Sequence, residues 1–300
     1  MNKQLCGEVP QPKNWLSHID DTKPLSELTI PGTHDSATYK SSWITGFGYV
    51  KCQSLSFEEQ FNAGCRFLDI RCRLYQNALV CHHSSYYMHL NFDDVINACQ
   101  SFLNAHPTET VIMCLKEEYK QEQSTITWVE AVRTYIEKNP SLWHLENEVP
   151  ILGKVRGKIV LARRFYCGRK MGINASFRDN RTFSFTFRWN PTPQKLICED
   201  RYNPGTLVEK QRLITANITD AESHNDANNF YWTFSSGYIT LWYTPKGMAA
   251  ALNPWLKKTI VNNGKQKGLV IVDFLDEDLG KHLVSLNFPP TDGYHGKSWW

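Results

Sequence analysis

No stretch of the 300-residue sequence approaches the roughly 18 consecutive apolar residues that a membrane-spanning helix needs, so any membrane contact is expected to be peripheral. Long Lys/Arg runs are absent too, and 33 basic against 30 acidic residues leave a formal charge of +3. That is too small to imply nucleic acid as a partner. Neither a CxxC pair nor a Cys/His spacing of the zinc type occurs, which argues against a structural metal; no cofactor is expected. The opening segment MNKQLCGEVPQPKNW lacks the apolar core of a secretory signal. Nine cysteines, an odd number, cannot all pair internally, and Cys65, Cys72, Cys81 and Cys114 fall inside expected strands, as small apolar fillers do. Reduced thiols in a cytosolic setting are favoured, with secretion or injection into a host left open. Internal repeats and low-complexity segments are missing, and the stretch WNPTPQK is too short for an interdomain linker. Hydrophobic residues at 41% and charged residues at 21% suit a soluble chain with one large core. A single domain over residues 1–300 is expected, with its core from about residue 25 to 280.

What the sequence does have is a repeated handover from apolar, strand-like segments to chemically active residues. LTIPGTHDS delivers His34 and Asp35, FLDIRCRL carries Asp69, Arg71 and Arg73, ALVCHH ends in His82 and His83, and LVIVDF contains Asp273. A buried strand ordinarily passes into Gly, Asn, Ser or Pro, so these handovers point to one rim where several strand ends present catalytic groups together. Strands are expected at 28–31, 65–74, 78–82, 110–116, 158–163, 196–199, 230–234 and 268–274, enough for a closed barrel. Helical patterns lie between them at 57–63, 92–105, 126–138, 207–224 and 248–262. Strands alternating with helices argue for parallel βα units. The expected fold is therefore α/β, an irregular, distorted (β/α)8 barrel of the TIM type. The irregularity belongs after the second strand, where residues 78–83 follow too closely for a helical crossover.

In that second strand the two-residue period puts Phe67, Asp69, Arg71 and Arg73 on one face and Leu68, Ile70, Cys72 and Leu74 on the other. The apolar set can pack under helices, which leaves three charged groups facing into the barrel. Unpaired buried charge is too costly to persist, so these groups must pair, reach an open mouth or meet a charged ligand. Arg71 suits phosphate oxygens, with an ion pair to Asp69 as the plainer alternative. His34 and His83 could divide base and acid work, since an imidazole titrates near neutrality; a strand-end histidine can also be purely structural. Asp273 could orient a base histidine or simply cap a helix.

Taken together, IPGTHDSATY, GCRFLDIRCRL, VCHHSSYYMHLNFDDVINACQSFLNAHPTETVIMCLKEEY, VRGKIVLARRFY and GLVIVDFLDE resemble the bacterial phosphatidylinositol-specific phospholipase C family, with its X-type barrel, in order from about residue 25 to 280. The resemblance implies an enzyme that cleaves phosphatidylinositol without metal, giving diacylglycerol and a cyclic inositol phosphate. It implies His34 as general base held by Asp273, Arg71 on the phosphate, and His83 as general acid supported by Asp35. Lys116, Arg164 and Asp200 would hold the sugar hydroxyls, and Tyr202 would stack on the ring. Calcium-dependent relatives carry metal-binding carboxylates around this site, including the position of Arg71, so arginine there implies calcium independence. Bacterial members generally follow the histidine pair with Gly, where this chain has Ser84, so a different local turn is expected.

A lipid substrate calls for anchors at the rim, and Trp43, Tyr238, Trp242 and Tyr243 lie in loops on the expected mouth side; ordinary core packing is the alternative for each. A monomer is expected, and acceptance of glycosyl-phosphatidylinositol anchors is left open. Two other readings remain at this point. One is a metal-dependent phosphodiesterase of the glycerophosphodiesterase or sphingomyelinase D type, against which Arg71 argues. The other is an inactive barrel that only binds inositol lipid, against which the two histidines argue.

Overall fold

The computed structural model describes residues 10–168, 171–175, 177–187, 193–224, 226–239 and 243–288. Its strands are β1 (Thr29–Thr33), β2 (Phe67–Tyr75), β3 (Ala78–His83), β4 (Tyr86–Asn91), β5 (Val111–Glu117), β6 (Trp143–His144), β7 (Ile159–Arg164), β8 (Ile173–Asn174), β9 (Arg181–Thr186), β10 (Lys195–Asp200), β11 (Asn229–Ser235) and β12 (Gly268–Val272). The α-helices are α1 (Phe57–Asn62), α2 (Phe92–Ala105), α3 (Trp128–Lys138), α4 (Leu152–Val155), α5 (Leu207–Ser223), α6 (Pro245–Thr259) and α7 (Glu277–Ser285). All strands join one curled sheet in the order β6-β7-β5-β2-β1-β12-β11-β10-β9, whose pairs are parallel except β10 with β9.

The α/β barrel expectation holds, with two corrections. First, no ladder among the described residues joins the β6/β8 edge to the β9 edge, so the barrel is open rather than closed. The cause is visible at both edges: β6 and β8 are two residues long, and β9 runs back antiparallel along β10, occupying the edge that closure would need. Second, β3 is not a stave. It pairs antiparallel with the outer half of β2 and with β4, forming a ribbon that extends beyond the barrel. The missing crossover helix had marked this irregularity. Short β6 takes the vacant place in the parallel series.

Helix ends follow local chemistry. Ser56 and Thr127 close capping boxes with Glu59 and Glu130 at the starts of α1 and α3. Helix α6 starts at Pro245, three residues before the first apolar residue of the pattern, because proline suits the first helical turn. Helix α7 was not expected from the sequence; Asp276 caps it by accepting from Leu279 N–H at 2.7 Å.

The two faces of β2 behave as its alternation requires. Leu68, Ile70, Cys72 and Leu74 join the layer under the helices, whereas Phe67 packs inside the barrel with Ile112, Val160, Trp232, Leu269 and Ile271. Gly32 of β1 makes room for this interior: a Cβ there would lie 3.0 Å from Phe67 and 3.1 Å from Ile271. The amino-terminal end of the barrel is sealed by the 3-10 segment Pro12–His18, whose fully buried Trp15 donates to the Gly64 carbonyl at 3.1 Å. Beneath it the Arg66–Glu109 ion pair is 2.7 Å long, and Glu109 also accepts from the Leu16 and Ser17 amides. With that end plugged, chemistry is confined to the carboxyl end of the strands. The eight described cysteines are all buried free thiols; of the four expected in strands, Cys72, Cys81 and Cys114 lie in β2, β3 and β5, and Cys65 just precedes β2.

Candidate active site

Parallel register carries the interior face of β2 across two neighbours. Asp69 pairs with Cys114 and then Ala162; one layer higher, Arg71 pairs with Lys116 and then Arg164. Three cationic side chains therefore form one row at the mouth, directly above Asp69. Beside that row β1 ends, and His34 and Asp35 leave it. The His34 amide donates to the Val272 carbonyl at 3.0 Å. Gln53 Nε2 clamps the same junction by donating to the His34 carbonyl at 2.9 Å and the Val272 carbonyl at 2.8 Å. Asp35 adopts φ 45° and ψ 53°, a left-handed conformation costing about 1–2 kcal/mol for an L-residue. Its amide is held by Asp69 Oδ2 at 3.2 Å.

The side chains converge as a continuous chain. Asp273 Oδ1 lies 2.7 Å from His34 Nδ1, and Arg71 Nη2 lies 2.6 Å from His34 Nε2. Arg71 also meets Asp69 Oδ2 through Nη2 at 2.9 Å and Asp35 Oδ2 through Nη1 at 3.1 Å. The second imidazole completes the series: His83 Nδ1 is 3.3 Å from Asp35 Oδ2 and 2.9 Å from the Val50 carbonyl. Because Arg71 can only donate, His34 Nε2 accepts, and the neutral ring carries its proton on Nδ1, donated to Asp273. His34 is thus set up to take a proton on Nε2. His83, with Nδ1 tied to a carbonyl, has Nε2 left for exchange.

Around this cluster Lys116 pairs with Glu118 at 2.5 Å. Arg164 lies 3.7 Å from both Asp69 and Asp200, with its guanidinium 3.8 Å over the Phe177 ring. The Tyr202 hydroxyl donates to Asp179 at 3.0 Å, and its ring stacks on Tyr238, which in turn meets Tyr49 edge-on. Gly237 permits this packing, since a Cβ there would fall 2.3 Å from the Tyr202 carbonyl oxygen.

Residues 22–165 match the family model described as phosphatidylinositol-specific phospholipase C, X domain. A 1-phosphatidylinositol phosphodiesterase of Staphylococcus aureus (strain Newman) is 32% identical over 278 residues, covering 88% of each chain. This chain belongs to the phosphatidylinositol-specific phospholipase C X-domain family. A Listeria monocytogenes 1-phosphatidylinositol phosphodiesterase is 27% identical over 296 residues, covering 95% of this chain and 88% of its own. A solved variant of the S. aureus phosphatidylinositol-specific phospholipase C superposes with a TM-score of 0.85 at 28% identity, covering 93% of this chain and 99% of that one.

For this member of the X-domain family, the charges balance by opposition. Burial favours the neutral His34 ring and Arg71 adds to it, but the Asp273 carboxylate together with Asp35 leaves the His34 pKa raised. Burial would likewise raise Asp69, yet Arg71 and Arg164 hold its carboxyl well below the usual range. Asp200 goes the other way, raised by burial that Arg164 and Lys210 only partly offset. Burial and the neighbouring Arg71 charge lower Lys116.

His34, Asp35, Arg71, His83 and Asp273 thus come together, with Lys116, Arg164 and Asp200 beside them and Tyr202 at the lip. The plainer alternative weighed for Arg71, an ion pair with Asp69, is present, and the guanidinium still borders the mouth, its side chain 13% exposed. Ser84 lies in the left-handed region, φ 53°, with its amide donating to Glu118 Oε1 at 3.1 Å. Among rim residues, Trp43 stacks on Phe274 between Lys51 and Lys246 and is 46% exposed. Tyr243 is partly exposed, Tyr238 belongs to the Tyr202 cluster, and Trp242 lies outside the described residues. Sequence reading missed three supports: Asp69 as the common anchor, Gln53, and Glu118. The first was visible on the β2 face. Cys52 can be grouped as a metal donor with His34 and Asp273 or with Asp35 and His83, and a surface set joins His144, Glu146 and Glu148.

Asp69→Asn should cost about 3–5 kcal/mol at neutral pH, because it leaves Arg71 and Arg164 short of a buried partner. The depressed folded pKa means the carboxylate's contribution is complete above the unfolded value of about 3.9 and is lost as pH falls through the folded value. Urea unfolding across pH should therefore find the Asn variant's deficit shrinking below about pH 4. A constant deficit would contradict this reading.

Proposed function

We propose that the chain cleaves phosphatidylinositol to diacylglycerol and inositol 1,2-cyclic phosphate, without metal. The observation that carries this reading is the unbroken series Asp273–His34–Arg71–Asp35–His83, which offers a base, a phosphate-binding cation and an acid at one rim. His34 Nε2 takes the proton of the inositol 2-hydroxyl while Asp273 stabilises the imidazolium that forms. The freed oxygen bonds to phosphorus as the bond from phosphorus to the diacylglycerol oxygen breaks. His83 Nε2–H then protonates that leaving oxygen. Attack is intramolecular, so no separate nucleophile has to be positioned. Arg71 supplies fixed positive charge beside Asp35 and Asp69, carboxylates that a calcium ion would otherwise require, and this weighs against a metal-dependent phosphodiesterase. Lys116, Arg164 and Asp200 hold the sugar hydroxyls, and Tyr202 covers one ring face.

Delivery to the site is interfacial. No helix among the described residues is long and apolar enough to cross a membrane. The loop after β1 presents Trp43, Ile44 at 85% and Phe47 at 89% exposure, an apolar patch beside the exposed Lys246 that suits an anionic lipid surface. Trp43 and Tyr243 serve as aromatic anchors, with Tyr238 inside the Tyr202 stack. The chain acts as a monomer.

Phosphorus NMR of phosphatidylinositol digested in excess chelator should find a cyclic phosphate as first product at undiminished rate. Linear phosphate appearing first, or arrest by chelator, would overturn the proposal. His34→Ala and His83→Ala should each lower kcat by about 10²–10⁴. The kcat/KM profile should be bell-shaped, its acid limb set by the raised His34 pKa. Asp273→Asn removes the charge that raises it, so that limb should move to lower pH while kcat falls; a limb that stays in place rejects the Asp273 role. Phe47→Ser should cost roughly tenfold or more on vesicles and little on a soluble monomeric analogue, whereas equal losses would reject anchoring.

A further inference from the structure

Close to both imidazoles lies a thiol that this chemistry leaves idle. Cys52 is fully buried, and its Sγ, an imidazole nitrogen of His83 and a carboxylate oxygen of Asp35 all lie within 4.8 Å of one another. Cys52 also groups with His34 and Asp273, but there the ring and carboxylate are locked in a 2.7 Å bond that a cation would have to break. On the His83 side the geometry is looser. His83 Nδ1 and Asp35 Oδ2 stand 3.3 Å apart, about the edge of a tetrahedron built on metal bonds of about 2.0–2.1 Å. The Val50 carbonyl adds a fourth donor, 2.9 Å from His83 Nδ1 and 3.8 Å from Cys52 Sγ.

We propose that Cys52, His83, Asp35 and the Val50 carbonyl form a site for a thiophilic divalent cation, Zn²⁺ or Cd²⁺, whose binding silences the enzyme by withdrawing His83 from proton transfer. Selectivity follows from the donors and from their neighbour. Arg71 Nη1 sits 3.1 Å from Asp35 Oδ2, and its charge opposes a hard cation held by oxygen alone. Sulfur together with imidazole suits a borderline or soft ion strongly enough to compete. Entry is past the imidazole, since the His83 side chain is 21% exposed and Asp35 only 2%. Binding breaks the His83 bond to Val50, releases both the His83 Nδ1 proton and the Cys52 thiol proton to solvent, and moves no electron. The cation site stands apart from the proposed reaction; only the silencing rests on it.

Titration of the full-length protein with Cd²⁺ reads binding directly through the ultraviolet thiolate-to-cadmium charge-transfer band, with phosphatidylinositol cleavage followed in parallel. One equivalent should produce the band and abolish cleavage. In Cys52→Ser the band should be lost with its thiolate, and silencing should need at least about tenfold more cadmium, given that loss of mere outer-shell partners costs about 10–100-fold in affinity. Thermal unfolding without cadmium establishes that the variant is folded, and Cys52→Ala replaces it if it is not. His83→Asn, read by the band alone, should weaken binding as well. A band that persists unchanged in folded Cys52 variants would overturn the site. A Cys52-dependent band with undiminished cleavage would overturn the role given to His83. Lack of cleavage by the metal-free parent would sink the proposed reaction instead, and the band would still decide the cation site.

Discussion

The mouth of the barrel depends on one guanidinium held between two buried carboxylates. Arg71 meets Asp69 through Nε and Nη2 and Asp35 through Nη1, while Nη2 also touches His34. Carboxylates buried at this depth are costly without a paired cation, and removing one partner of a buried ion pair costs about 3–5 kcal/mol. The same contacts orient the imidazole on one side and, through Asp35, the imidazole on the other. Structural and chemical demands therefore fall on the same atoms, so substitution at Arg71 would disturb folding and turnover together.

Parallel pairing is what makes this arrangement possible. Because β2, β5 and β7 run side by side in register, an alternation written separately into three segments aligns Arg71, Lys116 and Arg164 in one layer. Cys114 and Ala162 below them are small, leaving room for the Asp69 carboxylate. The plug built on Trp15, Arg66 and Glu109 closes the opposite end. The open seam between β9 and the β6/β8 edge spares the series from Asp273 to His83, which is assembled from β1, β2, β3 and β12 and the loops that follow them, whereas Arg164 and Asp200 end the strands that flank it.

Much of this was legible in the residues. The period of β2 placed Asp69 and Arg71 on the interior face, but not Arg73, which sits on the outer half of the strand and meets Glu122 and the Lys120 carbonyl beyond the barrel; the handovers at His34, His83 and Asp273 marked the rim. What escaped notice depended on tertiary context. Two-residue β6 and β8 carry no periodic signal, β9 (RTFSFT) is mostly exposed although the Asp179-Asn180 turn precedes it, and β4 exposes both tyrosines at its start. Gln53 looks like any loop glutamine until its amide is seen bridging two strand-end carbonyls. Asp69 was seen as an alternative partner for Arg71, whereas it is a shared anchor for Arg71, Arg164 and the Asp35 amide.

The central claim is that Asp273 and Arg71 together fix His34 as a neutral ring with its lone pair on Nε2 and an elevated affinity for a proton. Nitrogen-15 NMR of the histidine rings across pH tests it most directly. The account predicts a His34 pKa above the ordinary imidazole value of about 6.5, with the neutral ring protonated on Nδ1. A neutral His34 carrying its proton on Nε2, or titrating at or below that ordinary value, would contradict it.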